Sequence, residues 1–297
     1  MKKYIAAVLS LLSVNLFSSC KNNNSLPTAL NSKSLLWEIS GKQLASPSYF
    51  FGTMHLMCAE DAALTETVKA LIKDVDQIYL EVDMDNASEL LSGIMDLRSK
   101  SGQTLHSALS PDDYKKVKDF FEKFQPSIPF SLLETQPPLM ISSSLFELLL
   151  PCESKNGVEM KIIDEAYKEK KQTKGLETIA FQTSIFDSIP YQDQAKDLVK
   201  SIDSLEKNRK AMYEIIQVYK DQDIEKLYKL SASEESGISN YMDLLLFKRN
   251  RNWVSQFTEI AKEKSTLFAV GAGHLGGEKG VLQLLKSQGY SVRPLIN

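Results

Sequence analysis

Two turns of one design stand near opposite ends of the chain, Gly52-Thr53-Met54-His55-Leu56 and Gly271-Ala272-Gly273-His274-Leu275. Each follows an apolar, strand-like run and precedes a segment with helical spacing. Glycine lets the backbone turn sharply off a strand, and an imidazole just beyond the strand end points into the crevice where open α/β sheets bind ligands. The chain has three histidines, and two of them sit in this pattern. Two similar half-sites, one from each end, therefore flank whatever lies between.

The periodicity around the turns is that of an α/β chain. Residues Leu35 to Ile39, a turn at Gly41-Lys42, and Tyr49 to Phe51 read as a hairpin. Residues 61–75 place Leu64, Val68, Leu71 and Ile72 on one helical face, and 77–83 is an apolar run bounded by charges, a buried strand. From about 86 to 264 helical spacing dominates, with candidate helices at 86–98, 112–124, 130–150, 157–170, 191–220 and 238–263, punctuated by prolines. A strand edge at 172–178 interrupts them. The chain closes with a strand at 266–270, the second glycine turn, a helix at 277–288 and a strand at 291–294, the order of a βαβ unit. The expected fold is α/β: a central mixed sheet built from both chain ends, flanking helices, and a large helical insertion or cap at about 86–264.

The first twenty residues differ from the rest. Met1-Lys2-Lys3 is cationic, Tyr4 to Phe17 is almost uncharged, and Leu16-Phe17-Ser18-Ser19-Cys20 ends in small residues before a cysteine. That is a signal-peptide pattern resembling a lipobox, although Phe17 departs from the small or aliphatic residue usual three places before the cysteine. It predicts a leader at 1–20, lipid on Cys20, a flexible polar tether at 21–33 and one domain at 34–297, exported to a bacterial cell envelope and held at the membrane, or secreted if Cys20 is not acylated. Cys58 and Cys152 could pair in an oxidising compartment, but their spacing does not establish proximity and leaves the question open. No pair of cysteines has zinc-knuckle spacing, so no structural zinc site is expected. A formal net charge of −3 with scattered Lys and Arg gives no cationic surface for a phosphate backbone, and nucleic acid is excluded as a partner class.

His55, His274 and Glu81, at the end of the 77–83 strand, supply two imidazoles and a carboxylate, a set able to hold a divalent metal with a position open for water. Such a metal lowers the pKa of water and polarises a carbonyl. Without metal, one histidine could serve as general base. The bland alternatives are a helix-entry role for a single histidine in a glycine turn, a solvated strand end for Glu81, and a solvated helix face for Arg249 and Arg251. An arginine aimed into the crevice would instead suit a substrate carboxylate or a developing oxyanion. His106 has no turn signature and reads as structural.

The residues Phe50-Phe51-Gly52-Thr53-Met54-His55-Leu56, Tyr79-Leu80-Glu81-Val82-Asp83, Gly175-Leu176-Glu177-Thr178 with Gln182, Arg249-Asn250 with Trp253, and Val270 to Gly277 resemble, in order and content, the TraB/PrgY/GumN family with its animal TIKI branch. The resemblance runs from about Leu35 to Pro294. It implies a fold similar to that of erythromycin esterases and ChaN-like haem-binding lipoproteins, and a metal-dependent hydrolase, a peptidase, using manganese or cobalt rather than zinc on a peptide or protein substrate. It implies His55 and His274 as metal or catalytic residues and Glu81 as ligand or base. Glu177, Gln182, Arg249 and Asn250 follow as further site candidates, Glu177 as a possible ligand and Arg249 as the group that holds the tetrahedral intermediate. Two rivals stand beside this reading: a lipoprotein that binds haem or a peptide without turnover, and a metal-independent esterase-like hydrolase. Fold alone does not decide among them.

Overall fold

The computed structural model describes residues 33–86, 88, 102–125, 128–232 and 239–297. The expected leader with Cys20, the tether up to residue 32 and most of the helix expected at 86–98 lie outside the described residues. Strands β1 (Leu36–Ser40), β2 (Ser48–Thr53), β4 (Gln77–Val82), β6 (Thr173–Glu177), β7 (Thr266–Gly271) and β8 (Ser291–Pro294) form a six-stranded mixed sheet of order β6-β4-β7-β2-β1-β8. A two-stranded ribbon pairs β3 (Met57–Cys58) with β5 (Lys155–Asn156). The β1–β2 hairpin is antiparallel, whereas β2 runs parallel to β7, β7 to β4, and β4 to β6. Both chain ends therefore build the sheet. One edge, β6, comes from within the mostly helical stretch.

The helices are α1 (Glu66–Asp74), α2 (Leu105–Ala108), α3 (Pro111–Phe124), α4 (Phe130–Leu133), α5 (Pro138–Leu149), α6 (Val158–Lys168), α7 (Ile179–Asp187), α8 (Tyr191–Asp203), α9 (Leu205–Lys220), α10 (Ile224–Ser231), α11 (Lys248–Ala261) and α12 (Val281–Ser287). Local chemistry sets several boundaries that periodicity placed elsewhere. The helix expected at 61–75 starts only at Glu66, where the Thr65 side chain caps Val68 N–H. The run 130–150 is two helices, because the Pro137-Pro138 pair ends one and Pro138 opens the next. The run 191–220 breaks at Ser204, and that at 238–263 becomes a 3₁₀ turn, a π-helical turn Asp243–Phe247 and then α11. The last helix starts at Val281, since Gly277 takes a left-handed φ of +78°.

Two apolar cores hold these layers. The larger unites the sheet with α1, α6, α9, α10, α11 and α12, and within it the buried rings of Phe50, Phe257 and Phe268 pack together with centroids 4.9–5.9 Å apart. Truncating any of the three to alanine should cost about 3–5 kcal/mol. The smaller core joins residues of α2, α3, α4, α5 and α8. The stretch 86–264 thus contributes to both. A disulfide joins Cys58 to Cys152, with Cα atoms 5.8 Å apart, and ties the β3–β5 ribbon together. Among the described residues no helix is long and apolar enough to cross a membrane.

Candidate active site

Because β2, β7, β4 and β6 run parallel, their carboxyl ends share one edge of the sheet, the edge where open α/β sheets present their sites. That edge collects the residues singled out in the sequence. Glu81 is the penultimate residue of β4, Glu177 the last of β6, and the turns after β2 and β7 carry His55 and His274. Helix α11 crosses above with Arg249, Asn250 and Trp253 on its buried face, and α7 contributes Gln182. Asp83 bends away, its side chain accepting from Asp85 N–H. His106 packs edge-on against Tyr114 in the smaller core region, far from this constellation in the fold.

The centre of the site is charged and buried. Arg249 Nη2 lies 2.6 Å from Glu81 Oε2 and 2.8 Å from Glu177 Oε2, and Arg249 Nε donates to the same Glu177 oxygen at 2.9 Å. Arg249 Nη1 donates to Leu245 O, a carbonyl of the π-helical turn, at 3.2 Å. The widened turn thereby gives the guanidinium a backbone acceptor on its own helix. Gln182 Nε2 reaches Glu81 Oε2 at 3.3 Å and Glu177 Oε2 at 3.4 Å, while Glu177 Oε1 is buried without a hydrogen-bond partner among the described residues. Gly271 N–H donates to Glu81 Oε1 at 2.8 Å. Burial opposes ionisation of Glu81, but the positive charges of Arg249 and His55 and this N–H together hold its carboxyl well below the ordinary range. The shift favours the carboxylate form and makes Glu81 a weaker base than a free glutamate.

His274 has its tautomer fixed by Asn250. The Asn250 amide nitrogen donates to Lys279 O at 2.9 Å and His274 O at 3.4 Å, so its oxygen is the acceptor, and His274 Nδ1–H donates to that oxygen at 2.6 Å. The lone pair of His274 sits on Nε2, which faces Arg249 Nη1 at 3.3 Å and Glu81 Oε1 at 3.8 Å. Burial, with Arg249 nearby, depresses the His274 pKa to about 3, so the ring is neutral. Trp253 packs against it at 4.4 Å between centroids and also lies beneath the Arg249 guanidinium.

His55 sits at the mouth, its side chain 68% exposed, with Nδ1 2.7 Å from Glu159 Oε1. Desolvation pulls its pKa down, but the Glu159 carboxylate and then Glu81 win and raise it to about 9. Its other nitrogen faces inward. A methyl group placed on Gly271 would stand 3.2 Å from Glu81 Oε1, 3.6 Å from His274 Cδ2 and 3.7 Å from His55 Nε2, so three predicted site residues converge on that glycine. A crevice of about 290 Å³ opens beside them, walled by Leu80, Val82, Met84, Gly157 and Met160 together with His55, Glu81, Glu159 and Gln182.

The structure therefore brings together His55, Glu81, His274, Arg249, Glu177, Gln182 and Asn250. Sequence reasoning missed Glu159, whose only local signal is an acidic residue in the first turn of a helix, a position that usually serves the helix dipole. Among the described residues no three His, Cys, Asp or Glu side chains stand together as a ready-made cage for a metal. The donors nonetheless fit a divalent cation in kind. His274 Nδ1 is engaged by Asn250 and His55 Nδ1 lies beside Glu159, with His55 Nε2, the His274 ring and Glu81 converging on Gly271, an arrangement like the one that outer-shell partners impose on metal-binding histidines.

The model of the TraB/PrgY/gumN family matches residues 35–294. The chain is 23% identical to Metalloprotease TIKI1 of Xenopus tropicalis, over 97% of this chain and 66% of that protein. It is 21% identical to Metalloprotease TIKI1 of Danio rerio, over 93% and 65%. It is also 32% identical to the Metalloprotease TIKI homolog of Amphimedon queenslandica, over 24% and 15%. The chain thus spans just under two thirds of the length of the first two relatives. No solved structure gives a match.

Proposed function

The chain belongs to the TraB/PrgY/gumN family, and from that premise we propose that it is a metal-dependent hydrolase of peptide bonds, exported to the bacterial cell envelope and anchored there by lipid on Cys20. The observation that carries the reading is the convergence of His55, His274 and Glu81 on Gly271, at the carboxyl edge of four parallel strands. Distant similarity to proteins named metalloproteases supports a hydrolase and a divalent metal. The disulfide between Cys58 and Cys152 supports export, since such bonds persist in oxidising compartments.

His55, Glu81 and His274 would hold the metal, with manganese or cobalt favoured by family resemblance. Once bound, it would lower the pKa of water and polarise the scissile carbonyl. The chain's own residues supply the rest. Arg249 places a fixed positive charge 3.3 Å from His274 Nε2, where negative charge on the attacked carbonyl oxygen would be stabilised. Gln182 holds the two carboxylates from the other side, and Trp253 keeps water off the inner face of His274. The crevice walled by Met84 and Met160, about 290 Å³, has room for at least one large side chain of a peptide substrate.

The metal-independent alternative has one observation in its favour, the absence of a ready-made three-ligand cage among the described residues. In it, an esterase-like hydrolase, Glu81 would take a proton from water, the water oxygen would add to the carbonyl carbon, and protonated His55 would give its proton to the departing group as the bond to the carbonyl carbon breaks. The depressed basicity of Glu81 counts against that role and suits a ligand. Calorimetric titration with Mn²⁺, Co²⁺ and Zn²⁺, followed by digestion of a peptide library, separates the readings, with His55→Ala and His274→Ala as controls. Metal binding and chelator-sensitive cleavage, both lost in the two variants, are expected. Cleavage that survives exhaustive chelation would establish the alternative, and neither binding nor cleavage would turn attention to capture of haem or a peptide without turnover.

A further inference from the structure

We infer that Glu159 is a positioning residue for His55, the counterpart of Asn250 for His274, and that it is delivered by an arm of the chain, residues 152–160, which the Cys58–Cys152 disulfide pins beside the first glycine turn. The inference rests on the metal-site reading above and deepens it.

Glu159 is 7% exposed, and its Oε1 lies at ion-pair distance from His55 Nδ1, 2.7 Å, with no hydrogen-bond partner of its own among the described residues. An acidic residue in the first turn of α6 would ordinarily face solvent and serve the helix dipole, which explains neither its burial nor its aim. The approach of the arm to His55 is built from several independent contacts. Met57 pairs with Asn156 and Cys58 with Lys155, Ala59 N–H donates to Ser154 O at 3.0 Å, and Val158 N–H donates to Met54 O at 3.0 Å. Gly157 lies so close that a Cβ there would come within 2.4 Å of His55 O, so only glycine lets the arm approach.

The consequence is orientation. An imidazole that is 68% exposed on a turn would otherwise sample several rotamers and both tautomers. With Nδ1 beside a buried carboxylate, Nε2 is turned toward Gly271, the glycine that Glu81 also faces, before any ligand arrives. The two imidazoles are thus set by partners of different charge, a carboxamide at the buried end and a carboxylate at the mouth. Met160, the next residue, lines the crevice, so the arm that aims His55 also shapes the wall beside it.

The test uses the purified full chain as wild type, Glu159→Gln, Glu159→Ala, His55→Ala and the His55→Ala/Glu159→Ala double variant. Mn²⁺ affinity by calorimetry should fall about 10- to 100-fold in Glu159→Ala, less in Glu159→Gln, whose amide oxygen still accepts from Nδ1. On the residual affinity of His55→Ala, removal of Glu159 should have no further effect. With three histidines in the chain, ¹⁵N imidazole spectra of the metal-free protein add a second readout: the His55 ring signals should move in Glu159→Ala while those of His274 stay in place. Unchanged His55 signals, or an equal loss of affinity with and without His55, would overturn the inference. If wild type itself binds no Mn²⁺, the metal reading fails, and the spectra alone still decide whether Glu159 sets His55.

Discussion

Arg249 Nη2 donates to Glu81 Oε2 across 2.6 Å in a place where the two side chains are 10% and 8% exposed. The same guanidinium also holds Glu177, so one buried cation balances two buried carboxylates. Arg249→Ala would leave both unpaired, and removal of one partner of a buried pair is expected to lower stability by about 3–5 kcal/mol. Urea unfolding of the metal-free variant measures this. Added Mn²⁺ should recover part of the loss, because a cation held by Glu81 restores the missing charge; a variant as stable as wild type would show that the pair is not needed.

Asn250 joins His274 Nδ1 to two backbone carbonyls, and its two substitutions should separate these tasks. Asn250→Ala removes both, with about 1–3 kcal/mol lost for the buried groups left unsatisfied and a 10- to 100-fold drop in metal affinity. Asn250→Asp retains an acceptor for Nδ1–H but sets an anion against the carbonyls of His274 and Lys279. It should lose stability while keeping more of its metal affinity. Chemical unfolding and calorimetry on the same samples check both.

The Cys58–Cys152 disulfide closes a separation of 94 residues. By loop-closure entropy its removal should lower stability by about 2–5 kcal/mol. Thermal unfolding of Cys58→Ser/Cys152→Ser against wild type, with and without reductant, gives the size, and reductant should destabilise wild type alone. Metal affinity should fall as well, since the bond pins the arm that carries Glu159.

Helix α10 braces the second glycine turn, with Ile224 O so close to Gly276 that a Cβ there would stand 2.4 Å away. Asp223 caps this helix by accepting from Lys226 N–H at 2.9 Å, and that bond, with the Lys33 ion pair, lowers its pKa. A depressed pKa in the folded state means stabilisation that is present above the unfolded value of about 4 and is lost as pH falls through the folded one. Asp223→Ala should therefore cost about 1 kcal/mol at neutral pH, and the gap from wild type should close on acidification below about pH 4. Unfolding curves of both proteins across that range decide it; a gap independent of pH would rule the charge out as its source.

The sequence by itself determined the alternation of strands and helices, the two glycine turns and the identity of most residues at the site. These are local properties: a run such as Ile78-Tyr79-Leu80 or a turn such as Gly271 to His274 carries its conformation in its own composition and spacing. Family resemblance supplied Glu177, Gln182, Arg249 and Asn250, and the structure places all four within the same cluster of hydrogen bonds. Tertiary structure alone decided what depends on approach from far along the chain. The pairing of Cys58 with Cys152, which spacing left open, required the β3–β5 ribbon. The helix break at Ser204 and the π turn before Arg249 depend on how helices seat against two cores. Glu159 was the residue hardest to foresee, because nothing near it in sequence distinguishes a solvated helix-start carboxylate from one buried against His55, 104 positions earlier. Contacts at such separations are set by packing of the whole sheet edge, and no local pattern encodes them.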